Sequence, residues 1–205
     1  MAKANDQTSE DKPRTSVERG RTSRAKLLTA AAELIPEVGW NAVTTRSLAA
    51  RAGVRPGLVH YHFDSLAALL RTAATEVFSE ALGTPLEAMV ATEEPTEGVL
   101  AALRNMDGHN GENPASVLLA EAYLAALRDP SLHETVSRLL ERTRASISDW
   151  LERLGTPQPE AVAEVLCAFF DGLVLHRALV PVPSPEFYLE PLRRLTSGAV
   201  PEGKP

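Results

Sequence analysis

The run from Thr44 to Phe63, TTRSLAARAGVRPGLVHYHF, gathers side chains suited to hydrogen bonding along a charged polymer. The Thr44 and Thr45 hydroxyls, the Arg46 and Arg55 guanidinium groups and the cluster His60, Tyr61, His62 can all donate to phosphate oxygens or base edges. A guanidinium placed as Arg55 is can also give two parallel hydrogen bonds to a guanine. Pro56 and Gly57 permit a close approach, and Leu58 can pack on a thymine methyl. Bond-making chemistry is not indicated. No nucleophile stands beside a base, no carboxylates pair and no glycine-rich phosphate loop occurs, so an enzyme is not expected. Asp171 and His176, five residues apart, would face each other poorly on a helix. His60 and His62, two apart, point to different sides and cannot share a metal ion. No metal and no other cofactor is expected. Cys167, the only cysteine, lies in the apolar run VLCAFF and reads as a buried structural thiol.

Those donors need a scaffold, and the same twenty residues supply one. Thr44 can cap a short helix with its hydroxyl. Leu48, Ala49 and Ala52 then fall on one face, and Ala49 is small enough for a second helix to cross closely over it. Gly53 gives the turn its freedom. Val54 and Val59 complete the apolar contact and leave Arg55 to Leu58 and His60 to His62 around the rim. Two helices joined by a short glycine-containing turn form the unit that lays its second helix in a DNA major groove.

The longer run RAKLLTAAAELIPEVGWNAVTTRSLAARAGVRPGLVHYHFDSLAALL, Arg24 to Leu70, resembles the DNA-binding domain of the tetracycline-repressor (TetR) family. Ala31 and Gly39 of the first helix, the VTT-LA-AGV core, the aromatic HYHF end and the DSLAALL helix start carry the likeness. The resemblance implies an all-α chain: an N-terminal three-helix helix-turn-helix domain followed by a helical ligand-binding and dimerisation domain. It implies a sequence-specific transcriptional regulator, a repressor by the family's default, released from a palindromic double-stranded operator by a small-molecule effector. Three positions depart from the family pattern. His60 stands where tyrosine is common, uncharged Leu66 lies near the usual place of a phosphate-binding lysine, and Leu58 replaces a small polar residue. Fewer charged contacts imply a shallower salt dependence of DNA binding.

Charge divides along the chain in the same sense. Residues 1–71 hold eleven Lys or Arg against seven Asp or Glu, a net +4, whereas the remaining residues carry −10. The positive part is the one that would meet phosphates. Residues 1–21 are polar and aperiodic and predict a disordered tail, in which Lys12, Arg14, Arg19 and Arg21 form a basic arm. The helix-turn-helix domain is expected over 22–65, the effector-binding and dimerisation domain over 66–199, and a tail over 200–205. No apolar signal core opens the chain and no run of twenty apolar residues follows, which predicts a cytoplasmic protein without a membrane span.

Periodicity places the first helix near 23–38, with Leu27, Leu28, Ala31, Leu34 and Ile35 inward and Pro36 bending or ending it before Gly39. The helix after the motif, with Leu66, Leu69, Leu70, Ala73 and Val77 inward, should stop near Leu82, where Gly83 and Pro85 follow. Downstream, Asn113–Pro114, Asp129–Pro130 and Ser184–Pro185 each pair a capping side chain with proline at a first helical position. Helices are expected over about 97–107, 114–128, 130–154, 159–180 and 185–196. The 159–180 segment is apolar nearly all round and must be covered on more than one side. The family resemblance makes one cover a second copy of the chain, through Leu166, Phe169, Leu173, Phe187, Leu192 and Leu195. The resemblance also implies an effector pocket, for which Phe78, Met89, Leu103, Met106, Leu119, Tyr123, Thr143, Ile147, Trp150 and Phe170 are the candidate lining. Arg142, Glu121 and Asp171 are its polar candidates. That mix fits an apolar or amphipathic effector.

Overall fold

The computed structural model describes residues 16–107, 114–177, 179–181 and 183–197, and every ordered segment in that set is helical or a turn. The basic arm at Lys12 and Arg14, His109, the Asn113 cap and the 200–205 tail lie outside these residues. Helix α1 spans Ser16–Val38, α2 Thr45–Ala52, α3 Gly57–His62, α4 Leu66–Val90, α5 Pro95–Asp107 and α6 Pro114–Ala126. Then come α7, Pro130–Arg153, α8, Pro159–Arg177, and α9, Leu189–Ser197, with 3-10 turns at Trp40–Ala42 and Pro185–Tyr188.

Two apolar clusters organise these helices. The first joins the inward face of α1 (Leu27, Ala31, Leu34 and Ile35) to Leu48, Ala49 and Val59 of α2 and α3, to Leu69, Leu70, Ala73, Ala74 and Phe78 of α4, and to α6 and the start of α7. The second packs Met89 of α4 with Val99 and Leu103 of α5, Ile147, Trp150 and Leu151 of α7, Leu166 and Leu173 of α8, and Leu192 of α9. Helix α4 therefore runs through both and ties the helix-turn-helix head to the rest of the chain. At its far end the first turn of α5 receives a side chain of α7. Gly98 lies against the Trp150 indole, whose Nε1 donates to the Thr92 carbonyl at 3.1 Å.

Several expectations at helix ends are corrected. Helix α4 does not stop near Leu82 but continues through Gly83 and Pro85 to Val90. A proline inside a helix costs about 3 kcal/mol, and the extension buries Met89 and packs Leu86 and Val90 against the second cluster, which offsets it. Pro36 likewise sits inside α1 without ending it early. The stop comes at Gly39, which takes φ 84° and donates to the Ile35 carbonyl at 2.9 Å. Helix α1 begins at Ser16 and not near Ser23, with the Thr22 and Ser23 hydroxyls bonded back to the carbonyls of Glu18 and Arg19. Helix α8 ends at Arg177, and the 185–196 segment opens as a 3-10 turn before α9. Among the described residues no helix is long and apolar enough to cross a membrane.

Candidate DNA interface and effector cavity

Helix α2 is capped on both sides. The Thr44 Oγ1 accepts from the Ser47 amide at 3.1 Å, and the Ser47 hydroxyl accepts from the Thr44 amide at 3.0 Å. This reciprocal pair satisfies two donors that the first turn leaves open. Ser47 was not singled out from sequence, although a Thr-x-x-Ser spacing ahead of an apolar run is the available signal. At the other end Gly53 takes the left-handed conformation, φ 64° and ψ 36°, and Val54 donates back to Ala49 at 3.0 Å. The chain reverses there at little cost because glycine has no Cβ. Helix α3 follows, with the Leu58 and Val59 amides bonded to the carbonyls of Arg55 and Pro56. Val59 is fully buried against α2, and Phe63 is closed off beneath the Arg24 guanidinium, 5.2 Å from its ring centre.

The rest of the turn faces outward. Arg55, Pro56, Gly57, His60 and Tyr61 are exposed, Tyr61 to 77%, and so are Thr44 and Arg46; Thr45 and Leu58 are half-buried. His62 differs from its neighbours. It is half-buried with Tyr61 edge-on at 4.9 Å, lies toward Gly20 of α1, and its Nε2 has no hydrogen-bond partner among the described residues. Arg51 is committed elsewhere: it meets Glu37 at 2.8 Å and Glu33 at 3.3 Å on α1, which holds Glu37 below the usual carboxylate range. Arg46 and Arg55 make no ion pair among the described residues, so their charge stays available to an outside anion.

Behind the head, α4, α5, α6, α7 and α8 enclose a cavity of about 110 Å³. Phe78, Met89, Met106, Leu119, Tyr123, Thr143, Ile147 and Phe170 line it together, as does Asp171. Leu103 and Trp150 do not; both are closed inside the second apolar cluster. Arg142 is exposed on the outer side of α7, and Arg144, half a turn on, takes the place at the wall. Helical spacing does separate these two arginines: Arg144 stands one turn from Leu140 and Ile147, which line the same wall, and Arg142 does not. The Tyr123 hydroxyl donates to Asp171 at 3.0 Å. Burial pushes the Asp171 carboxyl up, against the opposing pull of Tyr123 and Arg144, and pushes the Cys167 thiol up in the same wall. Glu121, expected near the effector, points the other way. Its Oε2 accepts from the Trp40 amide at 2.9 Å and so fastens α6 to the turn between α1 and α2.

The fold agrees with that of known proteins. The family model described as bacterial regulatory proteins, tetR family, matches residues 27–73, and the tetracyclin repressor-like C-terminal domain matches 90–202, more than half of the chain. The chain belongs to the TetR family. Its TetR relatives include the HTH-type transcriptional regulator BetI of Rhizobium meliloti, 31% identical over 165 residues, 78% of this chain and 80% of that one. A transcriptional regulator of Rhodococcus sp. Rha1, RHA1_ro04179, superposes with a TM-score of 0.67 at 26% identity, over 85% of this chain and 92% of that one. The multidrug binding protein EbrR, complexed with imidazole, superposes at 0.64 and 27%, covering 87% and 96%. The same protein with proflavin gives 0.57 and 26%, covering 84% and 99%. A TetR regulator carries its DNA-binding domain at the N-terminal end, where Thr44 to His62 lie here, and members of the family dimerise.

The residues expected at a dimer contact are placed less simply. Leu166, Leu173 and Leu192 are at most 6% exposed and pack into their own subunit's core, so they offer a partner no surface. Phe169 and Leu195 are half-buried, and Phe187 is 68% exposed. The outward face of α8 is instead Ala161, Val165, Ala168, Gly172 and Leu175, with Val165 50% and Leu175 46% exposed. An all-round apolar helix shows from sequence that both sides are covered, not which side is covered by what.

Proposed function

We propose that this TetR-family regulator is a dimeric repressor that leaves its operator when a small apolar or amphipathic molecule enters the α4–α8 cavity. The observation that carries the proposal is the placement of α6. Leu119 and Tyr123 of this one helix face the cavity, and Glu121 between them holds the Trp40 amide of the DNA-binding head. An occupant that displaces Tyr123 from Asp171 shifts α6, and through Glu121 it shifts the head. To release DNA the effector must bind the DNA-incompetent arrangement more tightly, since equal affinity for both would move nothing.

The head presents Thr44, Thr45, Arg46, His60 and Tyr61 to phosphates, with the half-buried His62 closing that edge. Arg55, Pro56, Gly57 and Leu58 are offered to the bases. In this division, residues 22–65 form the reading head and 66–199 the effector-binding and dimerisation part, acting in the cytoplasm. Two heads are needed for a two-fold operator. The Ala161–Leu175 stripe of α8, its small residues allowing close helix approach, pairs with its two-fold mate, and Phe187 adds apolar area beside it.

A mobility-shift titration of the pure protein on DNA selected from a random pool tests the reading. A two-fold site should emerge, binding should weaken with salt, and Tyr61→Ala should abolish the shift with the protein still folded. A reporter under that site should be silenced by the protein. Selection that returns no sequence, or a reporter that is switched on, would overturn the proposal.

A further inference from the structure

Among the described residues Asp171 is the one carboxylate in the wall of the cavity, and its surroundings define what it can receive. More than half of it is buried, and the Tyr123 hydroxyl at 3.0 Å is its hydrogen-bond partner among the described residues. The single basic group in the same wall, Arg144, turns to Glu164 on the neighbouring helix, Nε to Oε2 at 2.5 Å, so that its charge is matched at the surface. One negative charge is then left facing an otherwise apolar space. Aromatic rings line the same space. Phe78 and Tyr123 meet edge to face, with ring centres 5.0 Å apart, and Phe170 comes from the same helix as Asp171. Aromatic faces attract cations and not anions.

A partly buried carboxylate whose hydrogen-bond partner among the described residues is a neutral hydroxyl, and whose nearest cation is held by another carboxylate, is incompletely compensated. An entering cation supplies what is missing, a neutral molecule does not, and an anion adds repulsion. The raised affinity of Asp171 for a proton expresses the same deficit. Access is available from a second, wider cleft of about 380 Å³, which shares Ala81, Pro85, Met106, Leu119 and Val174 with the cavity. Its charged lining residues among those described are Glu80 and Arg177, whose guanidinium donates to the Met106 carbonyl at 2.6 Å.

We propose that the cavity is specific for an aromatic or alkyl organic cation, held with its charged nitrogen against the Asp171 carboxylate and between the Phe78, Tyr123 and Phe170 rings. This deepens the effector reading above and rests on it. The cation takes Asp171 from the Tyr123 hydroxyl, which frees Tyr123, two residues from Glu121 on α6.

The test uses the full chain at pH 7.5 and three fluorescent probes: proflavin, a planar cation; acridine, the same ring system uncharged at that pH; and 8-anilinonaphthalene-1-sulfonate, an anion. Proflavin should bind the wild-type protein at least about tenfold more tightly than acridine. Asp171→Asn, which keeps the shape and can still accept from Tyr123, should weaken proflavin roughly thirtyfold and leave acridine within about threefold. A circular-dichroism melt of the variant establishes that it is folded. Equal affinity for the two ring systems would overturn the proposal, as would proflavin binding indifferent to Asp171→Asn. So would tighter binding of the anion that falls with Arg144→Gln, or no binding of any probe to the folded protein. Release of the selected DNA is read separately with benzyltriethylammonium, because proflavin itself intercalates. Cation binding that depends on Asp171 without release refutes the repressor reading alone. Release by uncharged compounds with no cation preference refutes this proposal alone.

Discussion

Asp129 joins two parts of the molecule, and replacing it separates two energies. One carboxylate oxygen accepts from the Ser131 and Leu132 amides at 3.0 and 3.1 Å and caps α7, directly ahead of Pro130. The other meets the Arg71 guanidinium of α4 at 2.8 Å, with side-chain exposures of 31% for Arg71 and 25% for Asp129. A cap of this kind contributes about 1 kcal/mol, and a partly exposed ion pair about 0.5 kcal/mol after solvent screening. Asp129→Ala loses both, about 1.5 kcal/mol, whereas Asp129→Asn keeps the cap and loses about 0.5 kcal/mol. For a chain of this size that corresponds to a fall in Tm of about 3–6 °C for alanine and about 1–2 °C for asparagine. The pH dependence has a definite sign. Arg71, and then the Leu132 and Ser131 amides, hold the folded-state carboxyl below its ordinary value. Its contribution is therefore complete above the unfolded value of about 4 and fades as pH falls through the lower folded value. Urea titrations followed by helical circular dichroism at pH 7 and pH 3.5 would measure it. The reasoning fails if asparagine costs as much as alanine, or if the gap between wild type and Asp129→Ala widens on acidification.

Three further outcomes follow from the same geometry. Gly98→Ala improves helix propensity by about 1 kcal/mol, but its Cβ would collide with the Trp150 ring and come within 2.6 Å of the Thr92 hydroxyl. A net destabilisation of about 1–2 kcal/mol is expected by thermal melt, and a more stable variant would show that Trp150 packs on Gly98 more loosely than described. Glu121→Ala removes the carboxylate from the Trp40 amide and should cost about 1–2 kcal/mol, with Glu121→Gln recovering most of it; equal melts for the two would refute the bond's contribution. Arg55→Ala should relax the preference at one base pair per half-site by about 1–3 kcal/mol, measured by competition among operator variants, and an unchanged preference removes Arg55 from base reading.

How much of this was legible in the sequence depended on how local the determining physics is. The helix-turn-helix was readable because its parts lie within twenty residues: a hydroxyl cap at Thr44, alanines at the crossing, and a glycine at the one left-handed position. Proline at a helix start was readable for the same reason. Asp129 caps α7 as its type suggests, and α6 begins at Pro114. The rule weakens at Ser184, whose side chain makes no capping bond ahead of the 3-10 turn. It fails at Pro85, where the helix continues because burial beyond the proline outweighs the lost hydrogen bond, and at Pro36, beyond which α1 runs only through the exposed Glu37 and Val38.

The cavity shows the other limit. An apolar side chain lining a cavity and one filling a core have the same composition and the same periodicity, so Met89 and Trp150 look equivalent in sequence. They part only when the distant chain is in place: Trp150 is closed by Gly98 and Thr92, more than fifty positions back, while Met89 keeps one side open. The Trp40–Glu121 bond spans 81 positions and has no sequence signature, because any carboxylate on the right face of α6 would serve. The same holds for charge. In sequence, Asp171 and Arg142 are equally plausible polar groups for the pocket. What separates them is that Asp171 is turned into the interior beside a tyrosine, and Arg142 into water. The cost of leaving a carboxylate partly buried is paid in the folded protein alone, and it is that cost which makes Asp171, and not its more numerous apolar neighbours, decide what the cavity accepts.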